Sequence, residues 1–228
     1  MSDSAHYVYG VVASRDAATF ALTGESDRSS TDDGPTLEVT GVHGATELYP
    51  ISHGRLAALA SPIEVTEPEE TDADAKRHDE VLRAVMLEGD GRAVVPMQFG
   101  MVFESERALK NVLRGGRGAF RRALRTVEGR VELGVKLVRE RDVTVDDGAV
   151  EGVVTRDLDP LAESVVENDL YSDRLVVNRS YLVEQENQDA FDEAVADLEE
   201  TFEDDLIVRY SGPFAPYNFV DVHVGAQR

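Results

Sequence analysis

The hydrophobic pattern of the first third of the chain is that of β-strands. Residues 6–13 alternate in polarity and are rich in valine and tyrosine, and residues 37–42 and 48–61 carry similar patterns. Alternation of apolar and polar side chains is typical of a strand with one buried face. Residues 24–35 are polar and contain glycine, serine and proline, so we expect a loop there.

The spacing of apolar residues then changes to that of a helix over residues 74–88. Four residues at intervals of three and four share one face of this helix: His78, Val81, Leu82 and Val85. An apolar, extended stretch follows at 93–103. Because Pro96 cannot donate a ladder hydrogen bond, this stretch is predicted to be an edge strand or the end of a strand.

The rest of the chain alternates between helices and strands. Ser105 is a candidate N-cap for one helix, and the glycines within 115–118 separate that helix from a second. The elements predicted beyond them are a strand at 131–138, a helix at 157–170, a strand at 175–183, a helix capped by Asn187, and strands at 206–210 and 219–224.

Strands joined by covering helices predict an α+β fold. We expect two domains. Residues 1–128 form an N-terminal α+β domain with a helical segment, and residues 129–228 form a C-terminal domain built on the ferredoxin-like split βαβ unit.

Composition adds information about the solvent. The 228 residues include 45 acids and 23 bases, a net charge of −22, with three lysines and no cysteine. Such a charge repels itself in dilute salt, whereas at molar salt the Debye length falls to about 3 Å. We therefore expect a halophilic protein. The absence of cysteine excludes disulfides and thiolate chemistry.

The charge is distributed unevenly along the chain. Residues 107–141 hold eleven bases and three acids, whereas residues 142–205 hold three bases and 21 acids. Three hypotheses follow: the basic stretch packs against the acidic one, it meets an acidic partner, or it binds nucleic acid. The first two are favoured, because high salt weakens phosphate contacts steeply.

Sequence motifs for catalysis are absent. There is no dinucleotide fingerprint, phosphate-binding loop, nucleophile elbow or zinc-protease motif. The five histidines are scattered without ligand spacing, so we expect no metal and no cofactor. His78 is interpreted as a satisfied core histidine, and the many carboxylates as solvated surface groups. No apolar run reaches the ~18 residues of a membrane span, and residues 1–4 are polar and acidic. We expect a cytoplasmic protein without a secretory signal.

Residues 212–219 combine two prolines with three aromatic side chains: Phe214, Tyr217 and Phe219. Prolines rigidify a segment, and rigid aromatic side chains bind at low entropic cost. Two interpretations stay open here. The segment is either a docking surface or a cover that folds back onto the core.

Four stretches together resemble the gas vesicle accessory family GvpF/GvpL. They are the opening strand at 7–12, the helix start at 78–82 followed by 94–103, the strand at 132–136, and residues 211–220. The pairing of Pro96-x-x-Phe99-Gly100 with Gly212-Pro213-Phe214-x-Pro216-Tyr217-x-Phe219 is the most specific part. This chain departs from the family at a few positions. The family often has arginine where this chain has Gln98, threonine where it has Met101, and tryptophan followed by proline where it has Phe214 and Ala215.

The resemblance implies a non-enzymatic accessory protein for gas vesicle assembly. It implies two domains, each a variant of the ferredoxin-like theme. The implied partners are the small hydrophobic shell subunit and other accessory proteins, with neither nucleic acid nor membrane. The chain length is more similar to the F form than to the longer L form.

The candidate contacts are an apolar edge, part of the basic stretch and the aromatic segment: Pro96, Phe99, Phe103, Arg121, Arg122, Phe214, Pro216, Tyr217 and Phe219. Two alternatives remain. One is an enzyme with an unrecognised site of carboxylates and His78, and the other is a nucleic-acid-binding module that uses residues 107–141.

Overall fold

The computed structural model describes residues 5–23, 36–89 and 91–222. The chain divides into two compact units. The first unit consists of the chain up to Glu128 together with the residues from Val220 onward. The second unit is Gly129–Phe219. The predicted C-terminal domain extends to residue 228, whereas Val220 and Val222 pack against the core of the first unit. The loop predicted at 24–35 lies outside the described residues.

The first unit is built on a sheet whose strand order is β3-β2-β4-β5-β1-β6, with β7 also paired to β1. Its strands are β1 (Ala5–Ala13), β2 (Phe20–Leu22), β3 (Thr36–Leu37), β4 (Glu47–His53), β5 (Leu56–Ile63), β6 (Val95–Pro96) and β7 (Val102–Phe103). The predicted first strand is confirmed. The stretch 37–42 is shorter than expected as a strand, because only β3 forms there and a 3-10 turn begins at Val42.

Within the described residues of this unit, three helices cover the sheet: α1 (Asp72–Leu87), α2 (Glu106–Gly115) and α3 (Arg117–Val127). Ser105 caps α2 as predicted, because its hydroxyl accepts a hydrogen bond from the Ala108 amide at 3.3 Å. The side of β1 that carries Tyr7 and Tyr9 faces α1, whereas Val8 packs in a core cluster with α2 and α3. The sheet therefore lies between α1 on one face and the pair α2 and α3 on the other.

Gly10 allows α1 to approach β1 closely. A Cβ atom at this position would lie 2.9 Å from side-chain atoms of Leu82 and of Val94. These distances are shorter than a van der Waals contact, so a larger residue here would push the helix away from the sheet.

The second unit is a four-stranded antiparallel sheet in the order β11-β8-β10-β9. Its elements are β8 (Arg130–Arg139), α4 (Asp147–Leu158), β9 (Ser164–Glu167), β10 (Leu175–Glu184), α5 (Gln188–Thr201) and β11 (Leu206–Phe214). Residues of β10 contact both helices from one face of the sheet. Arg179 donates to Thr155 of α4, and the Tyr181 ring packs on Phe191 of α5.

Two predictions of local structure in the C-terminal part of the chain are wrong: the helix at 157–170 and the strand at 219–224. The helix expected at 157–170 is replaced by α4, a 3-10 turn at Asp159–Leu161, and β9. Pro160 follows α4 and cannot continue the helical hydrogen-bond ladder. Asn187 stands at the N-cap of α5, as predicted, although its side chain makes no capping bond. The strand expected at 219–224 is absent from its described part, 219–222, where Phe219 ends a 3-10 turn.

Candidate functional site

The nine predicted contact residues fall into two groups. The first unit contains Pro96, Phe99, Phe103, Arg121 and Arg122, and the second contains Phe214, Pro216, Tyr217 and Phe219. Pro96 and Pro216 are buried, and Arg121 and Arg122 are exposed. The four phenylalanines and Tyr217 are half-buried. The two prolines therefore shape their segments, while the other seven side chains keep some exposed surface.

The apolar edge of the first unit rests on a buried polar cluster around His78. This side chain is 2% exposed. Its Nε2 donates to the Met97 carbonyl at 3.0 Å, so its Nδ1 accepts from the Tyr7 hydroxyl at 2.7 Å. Burial lowers the pKa of His78 to about 4, so the ring is neutral near pH 7. Since both ring nitrogens are engaged and enclosed, His78 is not placed for proton transfer.

Phe99 and Phe103 lie along this edge in different ways. The Phe99 ring packs edge-on against Tyr7 at 5.9 Å and against His78 at 6.0 Å between centroids. Phe103, on β7, pairs with His6 of β1 and packs against the core. Each ring uses one side for the core and leaves another side available.

The basic stretch at 107–141 has two different environments. In the second unit, Arg130 pairs with Glu163 and Glu184, and Arg139 pairs with Asp147. These acids belong to the segment 142–205, so the hypothesis that basic and acidic stretches pack together is confirmed for these bases. In contrast, the ion pairs among the described residues include none of the four arginines of α3: Arg117, Arg121, Arg122 and Arg125.

Residues 212–219, which we call the Pro-aromatic segment, fold back onto the sheet of the second unit. Asn218 fastens them: its backbone N–H donates to the Glu132 carboxylate at 3.0 Å, and its amide side chain donates to Glu132 and to Ser180. Glu132 is only 5% exposed. The segment is thus a cover that folds back onto its sheet, and its three aromatic side chains remain half-buried. Its use as a docking surface stays a prediction.

Glycine is required where this segment begins. Gly212 has a φ of 124°, and a Cβ atom there would lie 2.9 Å from the Glu132 carbonyl oxygen. A side chain would be strained and would also collide with β8.

Sequence analysis missed Glu132 and Asn218. Glu132 occupies a polar position of an alternating strand and is one of 45 acids, so nothing in the sequence distinguishes it from a solvated carboxylate. It also missed a cleft in the first unit that Arg121 lines.

No cluster of three or more histidine, aspartate or glutamate side chains in the described ranges is arranged to hold a metal ion. None of the helices described is both long enough and apolar enough to cross a membrane.

Comparison with known proteins gives matches along the whole chain. The family described as gas vesicle synthesis protein GvpL/GvpF matches residues 5–149 and 146–221. Gas vesicle protein F2 of Halobacterium salinarum is 45% identical over 229 residues, covering 100% of this chain and 97% of that protein. Gas vesicle protein F of Haloferax mediterranei is 43% identical, covering 100% and 98%.

Two crystal structures show the same fold. Gas vesicle protein GvpF from Anabaena superposes with a TM-score of 0.78 at 19% identity, covering 99% of this chain and 100% of that chain. GvpF from Microcystis aeruginosa gives a TM-score of 0.77 at 17% identity, covering 96% and 99%. These structures share the mixed α+β architecture with two sheets.

Proposed function

Because the chain belongs to the gas vesicle synthesis protein GvpL/GvpF family, with a role in gas vesicle formation, we propose that it is a non-enzymatic assembly factor. In this role it binds the small hydrophobic shell subunit and other accessory proteins in the cytoplasm. The observation that carries the proposal is the match at 45% identity to a gas vesicle protein along the full chain.

Physical chemistry explains why a shell subunit would need such a partner. A strongly apolar subunit aggregates before it is assembled, and salts that are excluded from protein surfaces strengthen apolar association. An accessory protein that covers the apolar face reversibly keeps the subunit available for assembly. The binding surface of the accessory protein must then offer apolar side chains that are already ordered before the shell subunit binds.

The Pro-aromatic segment supports this role best. The side chains of Phe214, Tyr217 and Phe219 are half-buried. Ala215 and Pro216, which lie between Phe214 and Tyr217, are buried and fix the backbone there. Since Asn218 is already fastened to Glu132, little conformational freedom is lost when a partner binds. The half-exposed rings of Phe99 and Phe103 are a second candidate contact, in the first unit.

Both units support a proposal that each is a variant of the ferredoxin-like theme. In the second unit the connectivity is βαββαβ and the strand path is β9-β10-β8-β11. In the first unit the strands β4-β5-β1-β6 follow the same path, with α1 between β5 and β6. Among the described residues between β1 and β4, the elements are β2, β3 and a 3-10 turn at Val42–Gly44, where the theme has its first helix.

A non-enzymatic role is supported by the state of the one histidine considered for catalysis. His78 is enclosed, and its two nitrogens are bonded to Tyr7 and Met97. A general base needs hydrogen-bond reach to a substrate proton, which this arrangement does not give.

The test is capture of the shell subunit by the full-length tagged protein in a molar-salt extract of vesicle-forming cells, measured by mass spectrometry. The triple variant Phe214→Ala, Tyr217→Ala, Phe219→Ala should capture at least about tenfold less, since several apolar contacts are lost together. The matched control is Leu170→Ala with Tyr171→Ala, which removes the most exposed large apolar side chains of the same unit, 55% and 72% exposed.

The possible outcomes distinguish the assembly role itself from the proposed contact surface. Absence of the shell subunit from the wild-type capture would overturn the assembly role. Unchanged capture by a triple variant with a wild-type circular dichroism spectrum would remove the Pro-aromatic segment as the contact. If the triple variant does not fold, the single change Tyr217→Ala is used in its place.

A further inference from the structure

A cleft of about 560 Å³ lies in the first unit, between α3, the end of β1 and the β4–β5 turn. Its floor is apolar and its rim is charged. The apolar lining consists of Ala13, Leu56, Ala93 and Leu124, and the charged lining of Arg15, Asp16, Arg55, Arg121, Arg125 and Glu128. The volume is in the range of pockets that bind small molecules or a few side chains.

Only one of the four arginines is neutralised within the cleft. Arg15 contacts Asp16 at 3.3 Å and Glu128 at 3.0 Å. Arg55, Arg121 and Arg125 are exposed, and the ion pairs and hydrogen bonds of the described residues include no side-chain partner for them. The rim therefore has three arginine side chains available to a ligand and both of its acids already occupied.

This excess of free cations is notable in such an acidic chain. Acids outnumber bases by 45 to 23, so an arginine on the surface meets a carboxylate readily. Arg121 and Arg125 are four residues apart on α3, so they project from the same side of the helix. Leu124 between them is buried and forms part of the floor.

We infer that this cleft, which we call the arginine cleft, binds an acidic peptide segment of a partner protein, with an apolar side chain on the floor and carboxylates on the rim. Guanidinium groups match carboxylates in bidentate pairs. The apolar floor requires an apolar group in the ligand, which a phosphate or a bare anion lacks. A nucleic acid is disfavoured by the chain's net charge of −22.

The arrangement also suits high salt. A Debye length of about 3 Å at 1 M leaves no long-range attraction, so binding has to come from contacts at hydrogen-bond distance. A cleft with an apolar floor provides such contacts and partly excludes solvent. This surface differs from the Pro-aromatic segment in chemistry, and the inference does not depend on the proposed hydrophobic partner.

The test uses the full-length protein and a dye-labelled twelve-residue peptide of alternating glutamate and leucine blocks, with fluorescence anisotropy at 1 M KCl. We expect binding that weakens at least about tenfold in Arg121→Ala/Arg125→Ala, because two charge-assisted pairs are lost. Arg122→Ala is the matched control: it lies on the same helix and has the same charge, but it does not line the cleft.

Several results would overturn the inference. One is equal binding of a peptide in which glutamine replaces every glutamate, and another is equal weakening by Arg122→Ala. A third is tighter binding of a single-stranded oligothymidine at this cleft. The fourth is a dimer, detected by light scattering, that Arg121→Ala/Arg125→Ala dissociates, because a second copy of the chain would then be the occupant.

The variant Arg121→Lys/Arg125→Lys distinguishes two ways in which the arginines can bind the peptide. Retained binding would show that positive charge is sufficient, and a partial loss would show that bidentate pairing with the carboxylates also contributes.

Discussion

Two hydrogen bonds fix the protonation state of His78: Tyr7 donates to Nδ1, and Nε2 donates to the Met97 carbonyl. They connect β1, α1 and the segment 93–103 through one side chain. Such a network is favourable when every member has a partner, and costly when one partner is removed. At the residue scale, His78 therefore links three parts of the first unit.

His78 gives a prediction for pH dependence. The pKa is lowered to about 4 in the folded chain, whereas an ordinary histidine titrates near 6.5. Between these values the unfolded chain binds a proton that the folded chain does not, so the free energy of unfolding falls as the pH drops from 6.5 to 4. The contribution is about 3 kcal/mol once the pH reaches 4.

The measurement is denaturant unfolding of the wild type and His78→Gln at pH 7 and at pH 5. Glutamine keeps a donor and an acceptor but does not titrate, so the variant should lose about 2 kcal/mol less than the wild type over this interval. Equal losses in the two proteins would contradict the assignment.

At the scale of elements, short irregular segments are held onto regular ones by side-chain hydrogen bonds. The Pro-aromatic segment begins in the last residues of β11 and is fastened to β8 by the hydrogen bonds of Asn218 to Glu132. Ser180 of β10 accepts from Asn218 on one side and from Asn168 on the other. The sheet thus carries a polar anchor on the face opposite its helices.

We predict that Asn218→Ala loosens the Pro-aromatic segment without unfolding its sheet. The change removes the side-chain donors to Glu132 and Ser180, and it leaves one backbone bond to Glu132. Amide hydrogen exchange at Tyr217, Asn218 and Phe219 should become at least about tenfold faster, a loss of roughly 1–3 kcal/mol in local stability.

Asn168→Ala is the control for this experiment, since it removes a bond to the same Ser180 but none to Glu132. Exchange at β10 should stay at its wild-type rate in both variants. Equal acceleration of the Pro-aromatic segment in the two variants would show that Glu132 is not its anchor.

For the whole molecule, charge is the dominant property. A net charge of −22 on 228 residues repels itself, and salt screens this repulsion. The exposed face of α5 contributes strongly, with Asp189, Glu193, Asp197 and Glu200 all exposed.

We predict that thermal stability rises with KCl between 0.1 and 2 M, by more than about 4 °C in Tm, or roughly 1 kcal/mol or more. Replacing the four α5 acids by their amides should raise Tm at 0.1 M and reduce the increase with salt. Calorimetry at several KCl concentrations measures both effects, and an equal salt dependence in the two proteins would assign the stabilisation to something other than screening.

Local patterns were sufficient for much of the fold. The alternation at 6–13 and the helical spacing around His78 correspond to β1 and α1, and Ser105 caps α2 as its residue type predicts. These features depend on neighbours within a few residues, which the sequence shows directly. The helix expected at 157–170 failed because its apolar residues suit a helix and a strand alike, and pairing with β10 decided for the strand.

The sequence by itself determined the fold class, the salt-adapted composition and the burial of His78, because these follow from composition and from short-range periodicity. It also indicated the family, through the resemblance of four stretches to GvpF/GvpL. Only the tertiary structure decided which polar groups act together. Glu132 and Asn218 are 86 residues apart and meet because β8 lies beneath the Pro-aromatic segment. Arg55, Arg121 and Arg125 surround one cleft because a strand turn and a helix converge there. Spatial proximity between distant residues is a property of packing, which no local pattern contains.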